Sequence, residues 1–563
     1  MLFATQLLII SSHSDLEVTY IIMLDSDSPS FDVNVVSSTR VFPESSTRQP
    51  TTASLSIIDC TVSRYARCAA IFYNNPPSEA KYTLTPEHLQ TALSKTLNAY
   101  PQWSGRAKYL PYTPNAPHTQ RYRRIQISYN TLGDPGVEFV AATSPKVLSE
   151  YVPDTKTRKE TMKSWDVQVP SKDLYPPESL SLSDDRSAVN PPNVAVQLTT
   201  FACGSTAVSI CITHALADAQ TLSQFAKDYA SVSRALLKSE EPPTLSPVFD
   251  PSLLDAFAAG NLDDETPDPV LQAQARSLPC HRYNNYLKVK GQPWPYNMPG
   301  DWKKVAHLPD SPSTPIPWHE WDVKAKCTHR ILHFTASEIT NIYNAATSSP
   351  EIKLSKLDTL LAHIWMRINA ARNLPPDITT YLDITLGLRS RIEPPLPPAF
   401  LGSPILNAAV PTTTSSSPSG SLAQLTDSAT QIRQTVQKFS APAIAALLHD
   451  MAFEVSPQRL WRAFLGSHHV LVTSWLNLGL EEVEFLGNGR LRHVEPVMPF
   501  CDGLVDILEM IGDVGEGHWS RNGVDVSVYL EAGAMERLLE DPLLWKIEGG
   551  SDQRNEYKRR KLG

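Results

Sequence analysis

Apolar positions along the chain change their period several times, and each change marks an element. Over residues 85–100, Leu89, Leu93, Leu97 and Tyr100 recur at helical spacing. Thr85 stands where an N-cap belongs, Pro86 takes the first helical position and Pro101 stops the run. NVAVQLTTF (193–201) and AVSICITH (207–214) are short, apolar and β-branched, and the turn residues Cys203, Gly204 and Ser205 separate them, so they predict a strand pair. A helix is predicted from about Gln220, with Leu222, Phe225, Tyr229, Val232 and Leu236 on one face. The second half repeats the mixture. Residues 354–372 predict a helix with Leu357, Leu361, Ile364 and Ile368 as its buried stripe, opened by Ser355 and Asp358 in the manner of a capping box. YLDITLGL (381–388), HVLVTSWL (469–476) and VDVSVYL (524–530) predict strands, residues 411–421 a flexible loop, and residues 533–542 a closing helix.

Helices and strands mixed in both halves predict an α/β or α+β protein of two lobes. Residues 1–40 read as a mobile extension, 41–240 as a first lobe, 241–330 as a crossover, 331–550 as a second lobe and 551–563 as a tail. The crossover is rich in Pro, Asp and Trp, which suggests that it packs on the surface.

Composition narrows the function. Acidic residues outnumber basic ones 59 to 50, net −9, which leaves no electrostatic footprint for nucleic acid or a polybasic membrane surface. Seven scattered cysteines without a CxxC pair predict reduced, buried thiols and no structural zinc. No Lys or Arg precedes Arg40, so the n-region of a signal peptide is missing, and no stretch reaches the roughly 18 apolar residues of a bilayer span. We expect a cytoplasmic monomer. The tail KRRKLG reads as a solvated end.

His214 carries the chemical expectation. It ends an apolar strand just before a helix, so it lies at a sheet rim, where ligands bind. Asp218 follows four residues on, in the only HxxxD among the fifteen histidines. Cys211, three residues earlier, should point to the opposite face of the strand and makes a poor nucleophile.

The stretch AVQLTTFACGSTAVSICITHALADAQTLSQF resembles the active-site region of the BAHD acyltransferases, especially the fungal branch with trichothecene O-acetyltransferase-like enzymes. LSIIDC (55–60), YPQWSGR (100–106), LDTLLAHIW (357–365), LGLRSRIEPPLPPAFLGS (386–403), and TSW (473–475) followed by EFLGNG (484–489) resemble further segments of that family, in the family's order. Three places depart from it. Ala219 stands where Gly often follows the motif Asp, LGS (401–403) replaces FGN, and the DFGWG segment is degenerate at Glu484, Phe485, Gly487 and Gly489.

The resemblance implies two chloramphenicol-acetyltransferase-like lobes with a solvent channel between them and His214 at its centre. It implies acyl-CoA, by default acetyl-CoA, as co-substrate with no permanently bound cofactor, and a small hydroxylated natural product as acceptor. Asp218 would orient His214 or, the reading we favour, pair structurally with Arg389 or Arg391. Thr473, Ser474 and Trp475 would line the channel, and a hydroxyl there would serve the oxyanion or simply bond within the sheet. His468 and His469 form no metal pair on this reading, because adjacent strand residues face opposite sides and no carboxylate is near in sequence. A carrier-protein-dependent condensation-type enzyme would carry a second His and a Gly where Thr213 and Ala219 stand. A non-catalytic small-molecule binder on the same fold is the remaining alternative.

Overall fold

The computed structural model describes residues 32–547, apart from 46–48, 78, 80–81, 167–170, 177–178, 183–188, 294–297, 348–352, 415–420, 488–490 and 512–518. Two mixed sheets, each backed by helices, form the body. The first has the strand order Asn34–Val41, Val137–Ser144, Val194–Phe201, Thr206–Thr213, Arg67–Asn74, Leu491–Pro496. Its neighbours are antiparallel, except that Val137–Ser144 and Val194–Phe201 run parallel. The second has the order Ile405–Thr413, Thr379–Gly387, His469–Ser474, Leu504–Glu509, Val524–Glu531, Cys327–Phe334, Ser164–Trp165. There His469–Ser474 lies parallel to both its neighbours.

The two halves of the chain exchange strands. Leu491–Pro496, from the second half, completes the edge of the first sheet beside Arg67–Asn74. Ser164–Trp165, from the first half, caps the edge of the second beside Cys327–Phe334. Each exchange covers a row of unpaired backbone groups at a sheet edge. The lobes are therefore not the two contiguous pieces read from sequence. Residues 34–40, expected in the N-terminal extension, instead form the first strand and pair with Val137–Ser144. The strand Cys327–Phe334 likewise begins inside the stretch read as crossover. Of the loop read over 411–421, residues 411–413 extend the strand Ile405–Thr413, while 415–420 lie outside the described residues.

Local signals and packing agree in the helices. Thr85 accepts from the His88 amide to cap Pro86–Leu97, and Ser355 and Asp358 close a reciprocal capping box on Lys356–Arg372. Ala219–Leu237 buries Leu222, Phe225, Ala226 and Tyr229 in the core of the first lobe. Behind it, every residue of Thr206–Thr213 is buried, as a central strand covered on both faces requires. No helix among the described residues is long and apolar enough to cross a membrane.

Polar side chains lie buried where the sheets meet. Tyr73 donates to Glu495 at 2.5 Å, and Asp525 holds both Arg158 and His333. Asp506 is different. It is registered between Thr473 and Ser527, it is fully buried, and neither carboxyl oxygen has a hydrogen-bond partner. Burial pushes its pKa well above the usual carboxylate range, so the folded chain holds this proton to higher pH than the unfolded chain does. The unfolded chain releases that proton, so the wild type loses stability as pH rises above the free aspartate value of about 4. Asp506→Leu is expected to raise stability by about 1–3 kcal/mol at pH 7 and by less at pH 4, read from urea unfolding. An unchanged or lower midpoint at pH 7 would show that the carboxyl has a stabilising partner.

Candidate active site

The strand Thr206–Thr213 stops one residue before His214. His214–Leu216 forms a single 3-10 turn, Ala217 is extended, and Asp218 caps the helix Ala219–Leu237 by accepting from the Thr221 amide at 2.9 Å. This strand–turn–helix step holds His214 at the rim while its neighbours Thr213, Ala215 and Leu216 are buried. His214 itself is half-buried, deep among protein atoms yet reached by water. Burial pushes its pKa below the free imidazole value; bonds with the backbone of His214 and Ala217 and the charge of Asp218 offset this in part. The ring is therefore neutral at pH 7 and free to accept a proton.

Asp218 turns away from the imidazole. Its carboxylate meets Arg389 in a two-pronged pair, Nη1–Oδ2 at 2.5 Å and Nη2–Oδ1 at 2.9 Å, and both side chains are buried. Nη2 of Arg389 also donates to Thr221 Oγ1 at 2.8 Å and to the Phe400 carbonyl at 3.3 Å. Among the described residues Arg391 makes no such bond. Strand alternation does not decide between the two arginines, because the strand ends at Gly387 and both lie in turns.

The same pair anchors the segment Leu401–Gly402–Ser403. The Asp218 amide and Thr221 hydroxyl both donate to the Gly402 carbonyl, at 3.1 and 2.8 Å. Gly402 has φ +150°, and a Cβ there would stand 3.1 Å from the Phe400 ring and 3.2 Å from Asp59 Oδ1, so a side chain would be strained and crowded. Ser403 then places its hydroxyl 3.2 Å from His214 Nδ1 and donates its amide to Asp59 Oδ1 at 2.6 Å. Asp59 closes a capping box with Ser56 on the helix Ile57–Val62, and burial pushes its carboxyl up to about 7. Tyr65, just beyond that helix, sets its ring 5.7 Å from that of His214. Three segments far apart in sequence, around residues 55–65, 214–221 and 389–403, thus meet at one imidazole. Nδ1 and the Ser403 hydroxyl are hydrogen-bonded, and among the described residues no side chain bonds to Nε2, which carries the lone pair when Nδ1 holds the proton.

The sequence pattern of the Transferase family, the BAHD acyltransferases, matches residues 31–544. The chain belongs to that family. It is an acyl-CoA-dependent acyltransferase. Acyltransferase AFT15-1 of Alternaria alternata is 24% identical over 534 residues, which is 92% of this chain and 98% of that protein. Acyltransferase abl6 of Leptosphaeria maculans is 26% identical over 535 residues, 92% and 99% of the two chains. The crystal structure of F. sporotrichioides TRI101 complexed with Coenzyme A and T-2 superposes with a TM-score of 0.58 at 14% identity, covering 88% of this chain and 98% of that one, which is a likeness of fold.

The departures from the BAHD pattern have local reasons. Ala219 is the first helical residue after the cap, a position that alanine fills well. Ser403, read only as a substitute for the family Asn, is the group that touches the imidazole. In the degenerate segment, Glu484 accepts from the amides of Leu486 and Gly487, and its carbonyl is held by Arg234. Phe485 packs edge-on against Tyr229 at 5.2 Å, so the loop clamps the helix that Asp218 begins. Gly487 adopts φ +80°, and Gly489 lies outside the described residues. Trp475 is buried in the first lobe's core. Thr473 and Ser474 are half-buried, Ser474 accepts from the Leu476 amide at 3.4 Å, and neither hydroxyl bonds to His214. Burial pushes the Cys211 thiol up to about 11, which makes it a poor thiolate.

One cluster overturns a premise read from sequence. Carboxylates do lie beside His468 and His469, brought there from the crossover and from the strand Thr379–Gly387. Asp383 accepts from His281 Nε2 at 2.9 Å and pairs with His469 Nδ1 at 3.0 Å, and Glu320 reaches His469 Nε2 at 3.3 Å and His468 Nδ1 at 3.5 Å. The donor atoms of His281, Asp383 and His469 lie within 4.8 Å of one another, a set that could hold a metal ion. Each nevertheless has a protein partner, and the Phe464 amide adds a further bond to Asp383 at 3.1 Å, so the network closes on itself. It ties the crossover to the second sheet.

Proposed function

We propose that this enzyme moves an acyl group, by default acetyl, from acyl-CoA to a hydroxyl or amine of a small natural product, with His214 as general base. The observation that carries the reading is a half-buried imidazole at the sheet rim, its pKa pushed down by burial, hydrogen-bonded to Ser403 through Nδ1 and with no side chain of the described residues bonded to Nε2. Nε2 takes the acceptor proton as the acceptor oxygen attacks the thioester carbonyl. The tetrahedral intermediate then collapses, the C–S bond breaks, and the imidazolium returns its proton to the CoA thiolate. The products are the ester and CoA-SH, and no covalent acyl-enzyme forms. General-base help is worth about 10²–10⁴-fold, and the remainder falls to positioning and to stabilisation of the oxyanion. We assign the oxyanion to the half-buried hydroxyls of Thr473 and Ser474.

Asp218 and Arg389 act in this reading as positioning residues, because their pair fixes the turn that presents His214 and the segment that presents Ser403. The condensation-type alternative needs a second His where Thr213 stands. Thr213 is buried and bonded to Ser181 instead. We further propose a cytoplasmic monomer. Thiol release from acetyl-CoA, measured against a panel of hydroxylated metabolites, tests the reaction. Acceptor-dependent release with an acetylated product is the expected result. Saturable acceptor binding with no thiol released would make the chain a binder that has lost turnover.

A further inference from the structure

Arg64 lies at the end of the first short helix, next in sequence to Tyr65. Both of its terminal nitrogens are buried, and neither has a hydrogen-bond partner in the protein. Among the described residues no carboxylate pairs with it. Its guanidinium lies over the Trp461 ring, 4.9 Å from the centroid. Trp461 in turn donates its indole N–H to the Tyr65 hydroxyl at 3.2 Å, and Tyr65 faces His214. A continuous wall therefore runs from the imidazole through Tyr65 and Trp461 to the guanidinium. Arg64, Tyr65, His214 and Trp461 are each half-buried, whereas Val62, Ser63, Thr213 and Leu460 beside them are buried, so solvent reaches part of each wall residue, while the two terminal nitrogens of Arg64 lie just beneath that surface.

A guanidinium withdrawn from water without an anion costs several kcal/mol, and contact with one indole face returns only part of it. Other arginines near the site are engaged: Arg389 with Asp218, Arg123 with Gln458, and Arg124 through Nη2 with backbone carbonyls of Ala452 and Glu454. Arg64 presents a planar fork with neither terminal nitrogen bonded to the protein, and a carboxylate fits a planar fork with two parallel bonds.

We propose that Arg64 binds a carboxylate of the acceptor, which makes the acceptor a hydroxy (or amino) acid. The inference rests on the acyl-transfer reading above. The guanidinium then fixes one end of the acceptor while the aromatic wall positions its body, leaving the hydroxyl at His214. A single, partly enclosed cation suits one carboxylate better than the several phosphates of CoA, which need a spread of cations.

The test uses the full chain and two isosteric probes, 4-fluorobenzoate and 4-fluorobenzamide, titrated by ¹⁹F NMR into wild type, Arg64→Gln and Arg64→Lys. The benzoate is expected to bind the wild type at least tenfold more tightly than the benzamide. Arg64→Gln is expected to bring the two within twofold, and Arg64→Lys to keep part of the preference. The melting temperature of Arg64→Gln should equal or exceed that of the wild type, since no protein partner is lost; a clear fall would mark a structural role instead. Equal binding of the probes by the wild type, or a benzoate preference that survives Arg64→Gln, overturns the proposal. So does a tenfold loss of free CoA affinity in Arg64→Gln with benzoate binding unchanged, which would assign the guanidinium to a phosphate. Failures of the two readings are separable. Arg64-dependent acid binding without any thiol release would sink the acyltransfer reading and leave the carboxylate site standing. Acylation of alcohols or methyl esters as efficiently as of the matching acids would do the reverse.

Discussion

Replacing His214 by alanine is expected to lower kcat for acyl transfer roughly 10²–10⁴-fold while leaving the affinity for CoA within a few-fold of the wild type. The imidazole makes a ring contact with Tyr65 and a hydrogen bond with Ser403, so its loss removes a proton acceptor without stranding a charge. Because burial pushes its pKa below the free value of about 6.5, the acid limb of the wild-type kcat/KM profile is expected below pH 6.5. The rate should stay level from pH 8 down past neutrality and fall only when the ring takes up a proton. His214→Ala should show a flat profile across that limb. An alanine variant with undiminished turnover, or an acid limb that persists in it, would remove His214 from the mechanism.

Breaking the Asp218–Arg389 pair is expected to cost about 3–5 kcal/mol of stability, measured by chemical unfolding, because either single substitution strands a buried charge. Asp218→Asn and Arg389→Leu should each lose activity together with stability, since Gly402 and with it Ser403 hang from the same network. Arg389→Lys should rescue poorly, as an ammonium cannot reproduce the two-pronged contact with Asp218 while also reaching Thr221 and Phe400. The double variant Asp218→Leu with Arg389→Leu should recover part of the stability, because it leaves no orphaned charge. Should Asp218→Asn keep wild-type stability and yet lose a thousandfold in kcat, the carboxylate would belong with the chemistry, as an orienter of the imidazole.

The elements themselves were legible because their signals are local. Thr85 and Pro86 opened a helix and Ser355 with Asp358 opened another, since a cap acts within a few residues of the backbone it satisfies. The apolar runs 193–201 and 207–214 became paired strands around a turn at Gly204 for the same reason. The place of His214 at a strand end followed from that pairing. What failed did so where the partner lay far along the chain. Which of Arg389 and Arg391 pairs with Asp218 was not legible, because the strand ends at Gly387 and both arginines lie in turns placed by distant contacts. The extension expected over residues 1–40 lost its last seven residues to a strand whose partner, Val137–Ser144, lies about a hundred residues on. Asp383 and Glu320 were missed beside His469 because they come from separate segments.

The sequence by itself determined the run of helices and strands, the HxxxD turn and the class of chemistry that an imidazole at a sheet rim can perform, because backbone propensity, capping and the ordinary imidazole pKa near about 6.5 belong to a residue and its near neighbours. The tertiary structure alone decided which groups that imidazole meets: Ser403 at its Nδ1, Tyr65 against its face, Arg389 as the partner of Asp218, and Arg64 with an unused fork at the far end of the same wall. Contacts between residues 64, 214, 389, 403 and 461 depend on how two strand-exchanging sheets close on each other. That closure is set by burial summed over whole lobes, which no local window records.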